Sequence, residues 1–322
     1  MPPSPAPDLA SPALYQSREL AALEFNFRVL AMARDTAVPL LERLRFLSIV
    51  ASNLDEFFEV RVAMLKHHHA YGTAAPGPDG LSPPELLARI RERVLVLVDE
   101  EYTTWREELG PALAAEGIHV RARAAWTPAE RDWLRDCFER EILPVLSPLG
   151  LDPAHPFPRI LNKSLNIAVV LEGRDAFGHE GRHMALVRAP RSQPRIIRIP
   201  ESVAGAGEHF VFLSELLQAF ADLMFPGLAV LGAYPFRVTR NSELMVEEAE
   251  VEDLALALSE ELEGRGYARP VRLEISSDCP AAITRMLTRN FQLEDADVYR
   301  CDGPVNILRA GLIVDWVDRP DL

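Results

Sequence analysis

The sequence predicts an α+β protein, a helical bundle followed by a mixed α/β region, and two observations carry that prediction. Apolar residues recur at helical spacing from about Ser17 to Glu116, and past Gly117 they gather instead into short β-branched runs bounded by Gly, Pro and polar turns. The first region reads as four amphipathic helices burying their stripes against one another. The second mixes strands with helices. At 322 residues the chain is long enough for both regions to bury a core.

Residues 1–16, rich in Pro, Ala and Ser, read as a mobile tail. Leu20, Leu23, Phe27 and Leu30 form the first stripe, and Pro39 suits a first helical position before Leu41, Leu44, Leu47 and Val50. Ser52 to Lys66, SNLDEFFEVRVAMLK, reads as a third helix with Leu54, Phe57, Phe58, Val62 and Leu65 inward. Asn53 and Asp55 would then cap its start, or face a nucleotide. After the Gly/Pro loop near residue 72, Ser82-Pro83-Pro84-Glu85 has capping-box spacing and opens a helix through Leu86, Ile90, Val94, Leu97, Trp105 and Leu109.

Thr127-Pro128-Ala129-Glu130 repeats the capping box before Trp133, Cys137, Phe138 and Ile142. Strands are expected over SLNIAVVLEG, HMALVRAP, PRIIRIP and EHFVFL, then near LAVLG, PFRVTR and PVRLEIS. Ser214 is placed to cap a helix through Leu217, Phe220 and Met224, and further helices are expected near 250–263 and 279–289.

Composition excludes several classes. A net charge of −14 argues against a protein that coats nucleic acid, whose footprint is basic. Cys137, Cys279 and Cys301 are too scattered for a zinc ribbon or redox pair and suit a reducing cytoplasm. The sequence has neither a run of about 18 apolar residues nor the charge-then-apolar order of a signal peptide. It also has neither a P-loop nor a G-x-G-x-x-G turn after a strand. Adjacent His67, His68 and His69 point about 100° apart on a helix and read as a solvated helix end rather than a metal site.

Three smaller features have two readings each. His155, among four prolines, could be a functional histidine or, with no carboxylate or cysteine paired to it nearby in sequence, a histidine bonded to backbone groups in a rigid turn. Lys163, flanked by Asn162 and Asn166, could contact phosphate or guard a strand edge. Arg237 shares a strand face with Thr239, and Arg240 lies on the other; the arginines could hold a phosphate chain or, more cheaply, the acidic segment 247–253.

RELAALEFNFRVL, PLLERLRFLSIVASNLDEFFEVRVAMLK, LSPLGLDPAHPFPRILNKSLNIAVVL, LMFPGLAVLGAYPFRVTRNSEL and DVYRCDGPVNILRAGLIVDWVDRPDL together resemble the long, histidine-phosphorylated type of polyphosphate kinase, from about Ser17 to Leu322. The resemblance implies a helical N-terminal domain (17–116) and an α/β head domain (117–322) that ends at the junction with a catalytic domain. It implies an enzyme that moves the terminal phosphate of ATP reversibly to inorganic polyphosphate through a phosphohistidine. That histidine and the magnesium ligands are expected beyond Leu322, so none of the eight histidines here takes the role and the 322 residues alone are expected to be inactive.

Asn53 is carried over as the ATP-base contact, with Arg61 and Lys66 as secondary tunnel-lining candidates. The resemblance further implies a homo-oligomer formed through the head domain, and a cytoplasmic protein, with the periphery of the inner membrane as the alternative. The alternative function is a non-catalytic dimerisation module, or a truncated remnant with weak nucleotide binding.

Overall fold

A computed structural model of the protein describes residues 11–72, 76–152, 154–174, 180–242 and 268–322. The expected acidic segment 247–253 and the helix near 250–263 lie outside these residues; of the tail, Pro12–Leu14 forms one short 3-10 turn.

Helix α1 (Arg18–Arg34) is capped by Ser17, whose Oγ accepts from the Leu20 amide. Helix α2 (Leu40–Glu56) runs without a break through a wide turn (Phe57–Val62) into α3 (Ala63–Ala70). This corrects the expectation of a helix beginning at Ser52. No Gly or Pro occurs between Pro39 and Gly72, so nothing stops the helix there. Asn53 and Asp55 are therefore mid-helix residues, and their side chains are not used as caps. Helix α4 (Pro83–Thr103) begins at the Ser82–Glu85 capping box and continues through a second wide turn (Thr104–Leu109) into α5 (Gly110–Ala115).

Past the short strand β1 (Ile118–Val120), α6 (Pro128–Cys137) starts at the Thr127–Glu130 capping box. The remaining strands are β2 (Leu149–Leu151), β3 (Asn166–Arg174), β4 (Glu180–Arg188), β5 (Ile196–Ile199), β6 (Glu208–Phe212), β7 (Ala229–Arg240), β8 (Pro270–Ser276) and β9 (Val298–Cys301). They form a six-stranded sheet ordered β2-β4-β3-β7-β8-β9 and a three-stranded sheet ordered β1-β6-β5. Among the described residues, only β8/β9 and β1/β6 pair in parallel.

LAVLG and PFRVTR prove to be parts of one strand. Pro235 is tolerated inside β7 because the paired ladder to β8 begins only at Phe236, beyond the proline. The helix after β6 begins at Leu213, so Ser214 sits inside it rather than capping it. A helix spans Ala281–Phe291, and a 3-10 segment spans Ile307–Ile313.

Alternation along β7 and β8 gives the larger sheet two unlike faces. Phe236, Val238, Leu273 and Ile275 pack with Ile283, Leu287 and Phe291 of the following helix. Arg237, Thr239, Arg272 and Glu274 point the opposite way, toward α2. The chain after β9 returns to the bundle: Val305, Ile307, Ala310 and Ile313 share a core with Leu44, Leu47 and Leu54 of α2.

Candidate functional site

Cross-strand register assembles one wall of the site. Arg237 lies opposite Glu274, and Thr239 lies opposite Arg272. Both Arg237 Nη atoms donate to Asp55, Nη1 to Oδ2 and Nη2 to Oδ1, at 2.8 Å each. Arg237 Nε lies 2.6 Å from Glu274 Oε2. Arg272 donates to Asp55 Oδ1 and to Thr239 Oγ1, and its guanidinium lies 4.5 Å from the Phe58 ring centroid. Burial alone would raise the Asp55 pKa, but the two guanidiniums and their hydrogen bonds hold it below the usual value.

Two carboxylates already balance these two arginines, and a third, Glu101 of α4, is buried beside them. Burial, reinforced by Glu274, pushes its pKa up to about 8, so at neutral pH it is mostly protonated. One turn beyond Asp55, Glu59 accepts from Asn162 Nδ2 and pairs with Lys163 Nζ at 2.7 Å. Asp55 and Glu59 thus tie one face of the long helix to residues of the second region.

Asn53 points away from that anchored face, because two residues along a helix turn it by about 200°. It lines a cleft of about 510 Å³ between α1 and α2, with Arg18, Phe25, Glu56 and Arg61 among its neighbours. Asn53 Nδ2 donates to Asn26 Oδ1 at 3.0 Å, and Asn26 Nδ2 donates to the Val50 carbonyl at 3.0 Å. Arg61 is exposed in the same cleft. Lys66 is not: it pairs with Asp297 and faces the opposite side of the helix, toward Arg269 and Glu294. The cleft therefore brings Asn53 and Arg61 together and leaves Lys66 outside.

The other singled-out residues have structural partners. Arg237 holds Asp55 and Glu274, while Arg240 donates to the carbonyls of Ile160 and Ala268. His155 is fixed by Asp152, whose carbonyl accepts from its backbone amide and whose carboxylate lies 3.0 Å from Nδ1. His68 and His69 are exposed, and the His67 ring packs at a tilt against Tyr71 with centroids 4.5 Å apart.

Sequence reasoning passed over Asn26, Glu101, Arg272 and Glu274. A signal existed for two of them. Asn26 interrupts the stripe between Leu23 and Leu30, and Glu101 falls one turn after Leu97 on an otherwise apolar face. A polar residue on a buried stripe calls for a partner.

Comparison with known proteins matches this architecture. The polyphosphate kinase N-terminal domain model matches residues 15–121, and the polyphosphate kinase middle domain model matches residues 129–310. The chain therefore belongs to the polyphosphate kinase family. It is 56% identical over 312 residues to the polyphosphate kinase of Xylella fastidiosa strain 9a5c and 49% identical over 305 residues to that of Neisseria gonorrhoeae. These alignments cover 97% and 95% of this chain but 44% of each relative, so the chain spans less than half the length of the relatives it matches. The crystal structure of polyphosphate kinase from Porphyromonas gingivalis superposes with a TM-score of 0.74 at 26% identity, over 92% of this chain and 40% of that one.

Proposed function

We propose that this chain forms the base-holding end of the nucleotide site of an ATP:polyphosphate phosphotransferase. One observation carries the reading: the Asn53 amide is fixed by a buried neighbour on the wall of an open cleft, with no protein partner for its oxygen among the described residues. An amide both donates and accepts, which suits the edge of a purine. Arg61, exposed in the same cleft and without a salt-bridge partner among the described residues, is the available cation.

Phosphoryl transfer needs in-line geometry, charge-spreading cations and a positioned nucleophile. This chain contributes base positioning, while the phosphohistidine belongs to the part of the relatives that it does not span. Among the described residues no three His, Cys, Asp or Glu side chains converge on one point, and the magnesium ligands are assigned with the phosphohistidine to the part of the relatives that this chain does not span.

Titration of the chain and of Asn53→Ala with ATP tests the proposal. The substitution is expected to weaken binding, and equal affinities would reject base contact by Asn53. The 322 residues alone are expected to make no polyphosphate from ATP; magnesium-dependent synthesis by them would overturn that division of labour.

A further inference from the structure

We propose that Asn26 is a positioning residue that sets which end of the Asn53 amide faces the cleft, and through it the preference for a base bearing an amino group over one bearing a carbonyl at the same place. The inference rests on the reading that a base docks at Asn53.

The orientation follows from what each group can do. The Val50 carbonyl can only accept, so Asn26 must turn Nδ2 toward it, at 3.0 Å. That places Asn26 Oδ1 toward Asn53, and an oxygen there can only accept, so Asn53 must turn its own Nδ2 inward, also at 3.0 Å. A flipped Asn53 would set oxygen against oxygen. Asn26 is only 3% exposed, so water cannot readily take over either of its bonds.

The chain of bonds therefore begins at a backbone atom of α2 and ends by committing Asn53 Oδ1 to the cleft side. Asn53 is half-buried on the cleft wall, and its oxygen has no protein partner among the described residues. Adenine carries an amino donor at position 6 where guanine carries a carbonyl acceptor. A fixed acceptor pairs with the first and opposes the second.

The experiment compares ATP and GTP affinities by titration for the unsubstituted chain, Asn26→Leu and Asn26→Asp, with circular dichroism to check each fold. The unsubstituted chain is expected to prefer ATP by about tenfold, the scale of one polar group left unpaired. Asn26→Leu removes the acceptor, frees the Asn53 amide to rotate, and is expected to bring the ratio close to one. In Asn26→Asp the buried acid can keep its proton, donating to the Val50 carbonyl through the hydroxyl and accepting from Asn53 Nδ2 through the other oxygen, so that variant is expected to keep the preference.

A folded Asn26→Leu with an unchanged ATP:GTP ratio would overturn the inference. If Asn26→Leu does not fold, Asn26→Ala, which also removes the acceptor and leaves a smaller side chain, decides: a ratio near one supports the role, and an unchanged ratio overturns it. Should Asn53→Ala bind ATP as well as the unsubstituted chain, the base-site reading falls and this inference with it. An effect of Asn53→Ala combined with no change in ratio at residue 26 removes this inference alone.

Discussion

Arg237 grips Asp55 through both ends of its guanidinium, each Nη atom 2.8 Å from a different carboxylate oxygen. The pair joins a central strand to the long helix two residues from Asn53. Such a fork fixes direction as well as distance, because the guanidinium and the carboxylate must lie nearly coplanar. Asn53 is thereby held between two constraints: Asp55 and Glu59 lock one face of the helix, and Asn26 holds the amide on the other.

Asp55→Ala leaves Arg237 and Arg272 buried with Glu274 as their one remaining salt-bridge partner among the described residues. Removing one partner of a buried pair costs about 3–5 kcal/mol, and that loss is expected in urea unfolding. A loss below about 1 kcal/mol would show that the cluster reorganises or admits water. Weakened ATP binding is expected to accompany it.

Glu101 gives stability a pH dependence whose sign is fixed by its raised pKa. Its folded value is about 8 against 4.5 for the free side chain, so the stability it provides is full below pH 4.5 and is lost as pH rises toward 8. Glu101→Gln mimics the protonated form and removes that slope. Between pH 5 and 8 the variant is expected to gain on the parent by up to roughly 4 kcal/mol in denaturant titrations. Parallel curves for the two proteins would exclude a raised pKa at this position.

Lys163 occupies the left-handed region at φ 55° while its Nζ pairs with Glu59. Replacement by alanine or by glycine loses the pair equally, but only glycine relieves the backbone. Lys163→Gly is therefore expected to be more stable than Lys163→Ala by about 1 kcal/mol. Equal melting temperatures would contradict that.

Gly311 lies where the returning C-terminal segment crosses α2, and a Cβ added there would come within 3.0 Å of Ser48 Cβ. Gly311→Ala is expected to cost about 1–3 kcal/mol by overpacking. Adding Ser48→Gly should recover part of that cost, and a double-mutant cycle without coupling would place the strain elsewhere.

Much of this architecture could be read locally. Ser82–Glu85 and Thr127–Glu130 announce helix starts because a capping box is formed within four consecutive residues. The apolar stripes of α1, α2 and α4 and the β-branched or aliphatic runs of β3 and β8 likewise depend on near neighbours. Within the helix run from Leu40 to Ala70, Asn and Asp suggest a start at Ser52 because they are cap-forming types, and their local sequence does not reveal that both have distant partners. Asp55 finds Arg237 and Arg272 across more than 180 positions, and Asn53 finds Asn26 on a neighbouring helix.

The sequence by itself determined the α+β class, two capped helix starts and the family. These rest on short-range periodicity and on extended resemblance. Only the tertiary structure decided that Arg237 serves Asp55 rather than a phosphate, that Lys66 stands apart from Asn53, that Glu101 holds its proton, and that Asn26 orients the amide. Each depends on which charges and hydrogen-bonding groups are brought together out of water. That is set by how helix and sheet pack, and no local stretch of the chain encodes it.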